Sequence, residues 1–173
     1  MVECFGESCQ QIAWPASNGG RFGGVCSIAE NRTKVYVTRS AAETEALAAA
    51  LAAELRPGGA VALFGGLGVG KTAFVRGLAA GLGCAGEVCS PTYALVHEYP
   101  GPVPVAHFDM YRIGGPEALE STGYYDYLDR GFVLAIEWSE HILEALPEDA
   151  WWVRMAAPGE DENTRHITIS VDN

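Results

Sequence analysis

Basic residues are scarce in this chain: 11 Lys and Arg stand against 22 Asp and Glu, a formal charge of −11 over 173 residues. That balance argues against a broad electrostatic footprint for nucleic acid, although it also serves simply to keep a protein in solution. The five cysteines (Cys4, Cys9, Cys26, Cys84, Cys89) are odd in number and form no CxxC pair. A full disulfide framework and a zinc site are therefore not expected, and reduced thiols in a cytoplasmic protein are. His97, His107, His141 and His166 show no metal-ligand spacing and read as structural or surface residues. No apolar run reaches the roughly 18 residues of a membrane span. The alanine-rich segment 41–55 is interrupted by Glu43, Glu45 and Glu54. The N-terminus lacks the basic and apolar regions of a signal peptide. Internal repeats are missing, as is an Asn-Lys-x-Asp guanine-reading motif, and no Ser or Cys nucleophile is visibly paired with a His.

What remains is a 49% hydrophobic chain of single-domain length. Residues 1–32 carry scattered cysteines, Gly19-Gly20 and Gly23-Gly24 but no sustained period, and are expected to form a weakly structured extension. Residues 33–173 alternate strand and helix signals. Lys34 to Thr38 alternates as a strand. Ser40 and Glu43 form a capping box, and Leu47, Leu51 and Leu55 mark one helix stripe. Strands are further expected at 60–64, 93–99, 103–108, 132–136, 151–155 and 166–170, with helices at 73–80, 116–120 and 139–146. Pro104 places its strand at a sheet edge or at the start of the strand. The run Phe132 to Ile136 suits a strand buried on both faces. This order predicts an α/β, P-loop NTPase-like three-layer sandwich with a mainly parallel, mixed central sheet.

The most informative segment is Gly65-Gly66-Leu67-Gly68-Val69-Gly70-Lys71-Thr72, a complete GxxxxGK[ST] phosphate loop between a strand and a helix. Its glycines let backbone N–H groups turn toward phosphate, and the helix N-terminus adds unpaired donors. Lys71 is suited to the β- and γ-phosphates and the Thr72 hydroxyl to Mg²⁺. Gly68, Val69, Gly70, Lys71, Thr72 and Ala73 are the expected nucleotide-binding positions. Two acids are placed to complete a magnesium environment, Glu137 at the end of the run 132–136 and Asp109 at the end of the segment before it; two suffice for an ion that keeps its waters. Ser90-Pro91-Thr92 reads equally as a switch-like loop sensing the γ-phosphate and as a Ser-Pro turn before a strand. Arg112 reads as a transition-state cation or as a structural partner of Asp109 or Glu117. The cluster Tyr124 to Leu128 reads as packing, with a partner-docking patch as the alternative.

Four motifs in order, Gly65 to Thr72, Ser90-Pro91-Thr92-Tyr93, His107-Phe108-Asp109-Met110-Tyr111-Arg112 and Ile136-Glu137-Trp138, resemble the bacterial TsaE family over the chain from about Thr33 onward. The resemblance implies an ATPase of tRNA threonylcarbamoyladenosine biosynthesis. It works with TsaB and TsaD proteins, which modify adenosine 37 of tRNAs reading codons that begin with A, and tRNA is met only through those partners. By motif position it assigns phosphate contact to Lys71, Mg²⁺ to Thr72, and the metal and water environment to Asp109 and Glu137. It places Ser40 and Thr44 near the nucleotide. Three positions depart from the family pattern: Gly66 replaces a usual Asp, Ala73 a common second Thr, and Cys89 a frequent polar or basic residue. A P-loop small-molecule kinase is the alternative, but Arg76, Arg112 and Arg130 are too scattered in sequence to suggest a lid.

Overall fold

The computed structural model describes residues 3–4, 33–91, 94–159 and 161–171. Apart from Glu3 and Cys4, the expected extension at 1–32 lies outside the described residues, as do Thr92 and Tyr93. One eight-stranded sheet runs in the order β1-β2-β8-β7-β3-β6-β5-β4. Its strands are β1 (Glu3–Cys4), β2 (Thr33–Thr38), β3 (Ala60–Phe64), β4 (Val96–Tyr99), β5 (Val105–Asp109), β6 (Val133–Glu137), β7 (Trp151–Ala156) and β8 (Arg165–Ser170). The helices are α1 (Ala41–Leu51), α2 (Lys71–Gly81), α3 (Pro116–Glu120) and α4 (Tyr124–Asp129). Parallel pairing is confined to the centre, where β7, β3, β6 and β5 lie side by side. The flanking pairs β1/β2, β2/β8, β7/β8 and β4/β5 are antiparallel.

Side-chain alternation divides the core into two layers. Val61, Leu63, Val133, Ala135 and Val153 face α1 and α2, among Leu47, Leu51, Phe74 and Leu78. Ala60, Phe108, Leu134 and Ile136 face α3 and α4, among Leu119, Tyr124 and Ile142. All of β6 is buried, as its continuous apolar run demands. In β7 buried and more exposed residues alternate, because helices cover only one of its faces.

α1 and α2 run in the same direction with their backbones nearly touching. A Cβ on Gly77 would overlap the Glu45 carbonyl, and one on Gly81 would crowd Ala49 and Ala52. Arg76 binds the Glu45 carboxylate across the same seam. The offset that pairs 77 with 45 and 81 with 49, carried back one turn, brings the start of α1 beside Ala73. Both helices therefore open at the same end of the sheet.

Several elements differ from the sequence-based expectation. β4 begins at Val96, not at 93, because Ala94 and Leu95 turn back to the Pro91 carbonyl and Leu95 adopts φ 64°. Pro104 only precedes β5, an interior strand, so its missing N–H breaks no ladder bond. The expected helix at 139–146 is two 3₁₀ turns, Ser139–His141 and Leu143–Ala145. Ile142 is off the helical region and Pro147 holds Leu146 extended. α4 was not signalled by periodicity; it forms because Tyr124 and Tyr127 close edge-on around Phe108, with ring centroids at 5.7 and 5.5 Å.

The helix seam makes a stability prediction. Alanine at Gly77 gains about 1 kcal/mol in helix propensity. Overpacking against a backbone carbonyl, which cannot rotate away, costs about 1–3 kcal/mol or more. Gly77→Ala is therefore expected to lower the urea unfolding midpoint; an unchanged or raised midpoint would mean the helices separate freely.

Candidate nucleotide-binding site

The site begins where β3 ends. Gly65 leaves the strand at φ 132°, and a Cβ there would collide with the Met155 carbonyl of β7. Gly68 at φ 75° and Gly70 at φ 100° complete a loop that only glycine traces without strain. Gly70 is the N-cap of α2, which has no side-chain cap and no acid in its first turn. Its leading N–H groups are thus available to an anion, with the positive end of the helix dipole behind them. Leu67 at the tip is 90% exposed. Arg165, at the start of β8, donates from Nε to the Val69 carbonyl (2.9 Å) and from a terminal nitrogen to the Gly68 carbonyl (3.3 Å). By holding two loop carbonyls it helps fix the peptide planes that aim the opposite N–H groups.

Lys71 is buried and folds back across the loop, donating to the carbonyls of Gly65 (2.6 Å) and Gly66 (2.8 Å). Its ammonium also lies 3.8 Å from the centroid of the Trp138 ring, a cation–π contact. Burial holds the Lys71 pKa below its ordinary value, and the charges of Glu137, Glu140 and Asp109 offset only part of that shift. Trp138 holds that place in a left-handed conformation, φ 59° and ψ 42°, at a cost of about 1–3 kcal/mol for a non-glycine residue. It packs on Tyr111 with ring centroids 4.9 Å apart. Leu95 and Trp138 are the positive-φ non-glycine residues among the described residues. Both neighbour the acids of the site: the Leu95 carbonyl accepts from the Asp109 N–H, and Trp138 follows Glu137.

Asp109 and Glu137 are register partners across β5 and β6, so their side chains leave the same face of the sheet. That face carries α2. Both carboxylates are buried. Thr72 donates its hydroxyl to Glu137 Oε1 at 2.7 Å, and His107 Nε2 meets the same oxygen at 2.9 Å. A carboxylate only accepts, so Nε2 carries the proton; Nδ1 is buried without a partner. Burial alone would push the Glu137 carboxyl up. The His107 hydrogen bond and charge, the Thr72 hydrogen bond and the Lys71 charge outweigh it and hold the group below its ordinary value. Asp109 accepts from the Tyr111 N–H at 3.0 Å and from the Ser90 hydroxyl at 3.5 Å.

The structure thus brings Lys71, Thr72, Asp109 and Glu137 together beside Gly68, Val69 and Gly70. Ala73 is buried in the first turn of α2. Ser40 caps α1 by accepting from the Glu43 N–H at 3.1 Å, and Thr44 bonds Thr38 through their hydroxyls at 2.8 Å. The reciprocal arm of the capping box is shifted by one residue, since Glu43 takes the Arg39 N–H and not that of Ser40. Arg112 is exposed on the loop after Asp109. The proposed γ-phosphate sensor Thr92 lies outside the described residues. His107, Trp138 and Arg165 were not singled out for the site by sequence. His107 stands two residues before Asp109 and so shares its face, a signal that was available. Arg165 lies 96 residues from Val69, and nothing local marks it.

A glycine cradle after a central parallel strand, an uncapped helix start and two acids on the neighbouring strand ends define a P-loop-type α/β protein. The family model for "Threonylcarbamoyl adenosine biosynthesis protein TsaE" matches residues 38–167. Relatives described as "tRNA threonylcarbamoyladenosine biosynthesis protein TsaE" include one from Bacillus subtilis, 38% identical over 129 residues (74% of this chain, 79% of the relative). One from Treponema pallidum is 37% identical over 134 residues (78% and 98%). Among solved structures, Bacillus subtilis YdiB aligns with TM-score 0.67 at 33% identity, over 82% of this chain and 88% of that one. The chain belongs to the TsaE family, whose role lies in tRNA threonylcarbamoyladenosine biosynthesis. Among the described residues no helix is long and apolar enough to cross a membrane.

The Glu137 network has a pH signature. Because its folded pKa is depressed, its stabilisation is present above the unfolded value of 4.5 and is lost as pH falls through the folded value. Urea unfolding at neutral pH and stepwise below 4.5 is expected to show a steeper acid loss for the parent chain than for Glu137→Gln; parallel curves would mean the carboxylate is not held as described.

Proposed function

We propose that this chain is a Mg²⁺-dependent ATPase of the cytoplasm, whose nucleotide cycle supports threonylcarbamoyl modification of adenosine 37 in tRNA through TsaB- and TsaD-like partners. The observation that carries the nucleotide half is the convergence of Lys71, Thr72, Asp109 and Glu137 on the open N-terminus of α2. Family membership supports the pathway half. The acidic charge of −11 supports contact with tRNA through partners and not directly.

The residues present fit magnesium. Two carboxylates and a hydroxyl gather at the helix start, and no group of three His, Cys, Asp or Glu forms a protein-only cage among the described residues. That pattern suits an ion whose remaining ligands are water and phosphate oxygens. Thr72, Asp109 and Glu137 would hold it, and when bound it neutralises charge on the transferring phosphoryl group. Lys71 exchanges the Gly65 and Gly66 carbonyls for phosphate oxygens, which relieves the cost of its burial. Loop and helix N–H groups bind the remaining phosphate oxygens. Glu137, ionised at neutral pH and fixed by His107, orients the attacking water, with Asp109 beside it.

Solitary activity is expected to be weak. Arg165 directs its donors to the carbonyls of Gly68, Val69, Glu162 and Thr164. A cation supplied by a partner is worth about 10³–10⁵ in rate in related phosphoryl transfers. Arg76 binds Glu45 and Arg130 lies 3.8 Å from Glu98, which supports the ATPase reading over a small-molecule kinase.

Glu137→Ala is expected to retain Mg·ATP binding by calorimetry while phosphate release falls by about 10²–10⁴. Release at the parent rate would remove Glu137 from the chemistry. In cells depleted of the protein, a Lys71→Ala copy is expected not to restore threonylcarbamoyladenosine in digested tRNA, whereas the parent copy does; an unchanged nucleoside level on depletion would sink the pathway assignment.

A further inference from the structure

A groove of about 470 Å³ opens between the α3–α4 side of the sheet and the 3₁₀ turns that follow Trp138. Leu119 and Ile142 form part of its lining, Tyr125 and Leu143 stand at its surface, and Glu140 and Glu144 border it. Exposed large apolar side chains are few among the described residues: Leu67, Tyr111, Tyr125 and Leu143. Leu67 belongs to the phosphate loop. Tyr125 and Leu143, each 49% exposed, line the groove, and Tyr111, 55% exposed, lies beside it, stacked on the lining residue His141 (6.2 Å). Grouped apolar exposure of this kind marks interaction surfaces, whereas isolated exposed residues are ordinary.

Charge identifies the class of occupant. The charged residues that line the groove are Glu140 and Glu144, with no Lys or Arg among the described lining residues. An acidic rim around an aromatic and aliphatic centre repels phosphate backbones and favours a cationic protein surface with apolar anchors. Such anchors would fill the space between Tyr125 and Leu143. The same surface is also joined to the nucleotide site. Glu140 acts on the Lys71 charge, and His141 Nδ1 lies 2.9 Å from the Met110 carbonyl, one residue beyond Asp109.

We infer that this groove is the docking surface for a basic, amphipathic segment of a larger protein partner. The inference rests on the function proposed above, in which the TsaB- and TsaD-like proteins are that partner. The groove is separate from the residues assigned to phosphate and metal, so its role is tested without disturbing them.

The experiment immobilises the TsaB- and TsaD-like proteins of the same organism and measures binding of the full chain by interferometry, with ATP affinity measured in parallel. Leu143→Lys and Glu144→Lys are each expected to weaken partner binding about tenfold or more, as loss of an interface anchor does. Glu54→Lys, an equal charge change on the α1 side of the sheet, is expected to leave it within about twofold, as for surface charges remote from an interface. ATP affinity is expected to match the parent in all three variants, which shows the fold intact. Parent binding with undiminished binding by both groove variants overturns the docking surface while the proposed function stands. No binding by the parent chain overturns the partner assignment and this inference with it. Two further results would replace the occupant: self-association of the parent that Leu143→Lys abolishes would assign a second copy. A tenfold gain in partner binding on removal of residues 1–32 would assign the chain's own N-terminal segment.

Discussion

A lysine ammonium held largely out of water is the constraint around which this site is organised. Lys71 is buried at the first turn of α2, and a charge in that position is costly unless its surroundings compensate. Two loop carbonyls, the face of Trp138 and three carboxylates offset part of that cost. The compensation is loose by design of its parts: backbone carbonyls and a ring face are neutral partners that a phosphate readily outcompetes. The lysine is thus kept charged and close to the loop without being locked into a direct, buried salt bridge.

The neighbouring acids are restrained by a different means. Glu137 is fixed through one oxygen by a hydroxyl from α2 and an imidazole from β5. Three elements are joined at a single atom, and each comes from a different part of the chain. Rigid placement of this kind is what electrostatic catalysis needs, because groups already oriented need not reorganise as charge develops. The site carries costs in return. A buried imidazole nitrogen has no partner, and two bulky residues sit at positive φ. These lie beside the acids, and the packed sheet behind them supports the strain.

The sheet's mixed pairing places the site. Four parallel central strands bring the C-terminal ends of β3, β5 and β6 to one edge, where α2 also begins. Antiparallel β8 starts from the same edge, so its first residue, Arg165, meets the loop. α1 lies parallel to α2 through close glycine contacts, so the Ser40 end of the chain opens on that side as well. On the opposite layer α3, α4 and the 3₁₀ turns cover β5 and β6, and the turn carrying Trp138 passes from one layer to the other. Nucleotide chemistry and the acidic groove therefore share one short segment, 137–145.

Local rules were sufficient for much of this. The phosphate loop was legible because its function depends on glycine spacing, Lys71 and Thr72 within eight consecutive residues. β6 was legible because an unbroken apolar run is the signature of burial on both faces. The placement of Asp109 and Glu137 at strand ends followed from the same patterns. Ser40 and Thr44 were placed near the nucleotide only through the family resemblance, and 139–146 read as a helix although Ile142 and the left-handed Trp138 break it for reasons of packing. His107 had no special standing in the sequence, and Arg165 was unmarked. Those roles depend on strand register and on contacts across 30 and 96 residues. Periodicity reports which face of its own element a side chain occupies, and only the folded sheet determines what stands opposite that face.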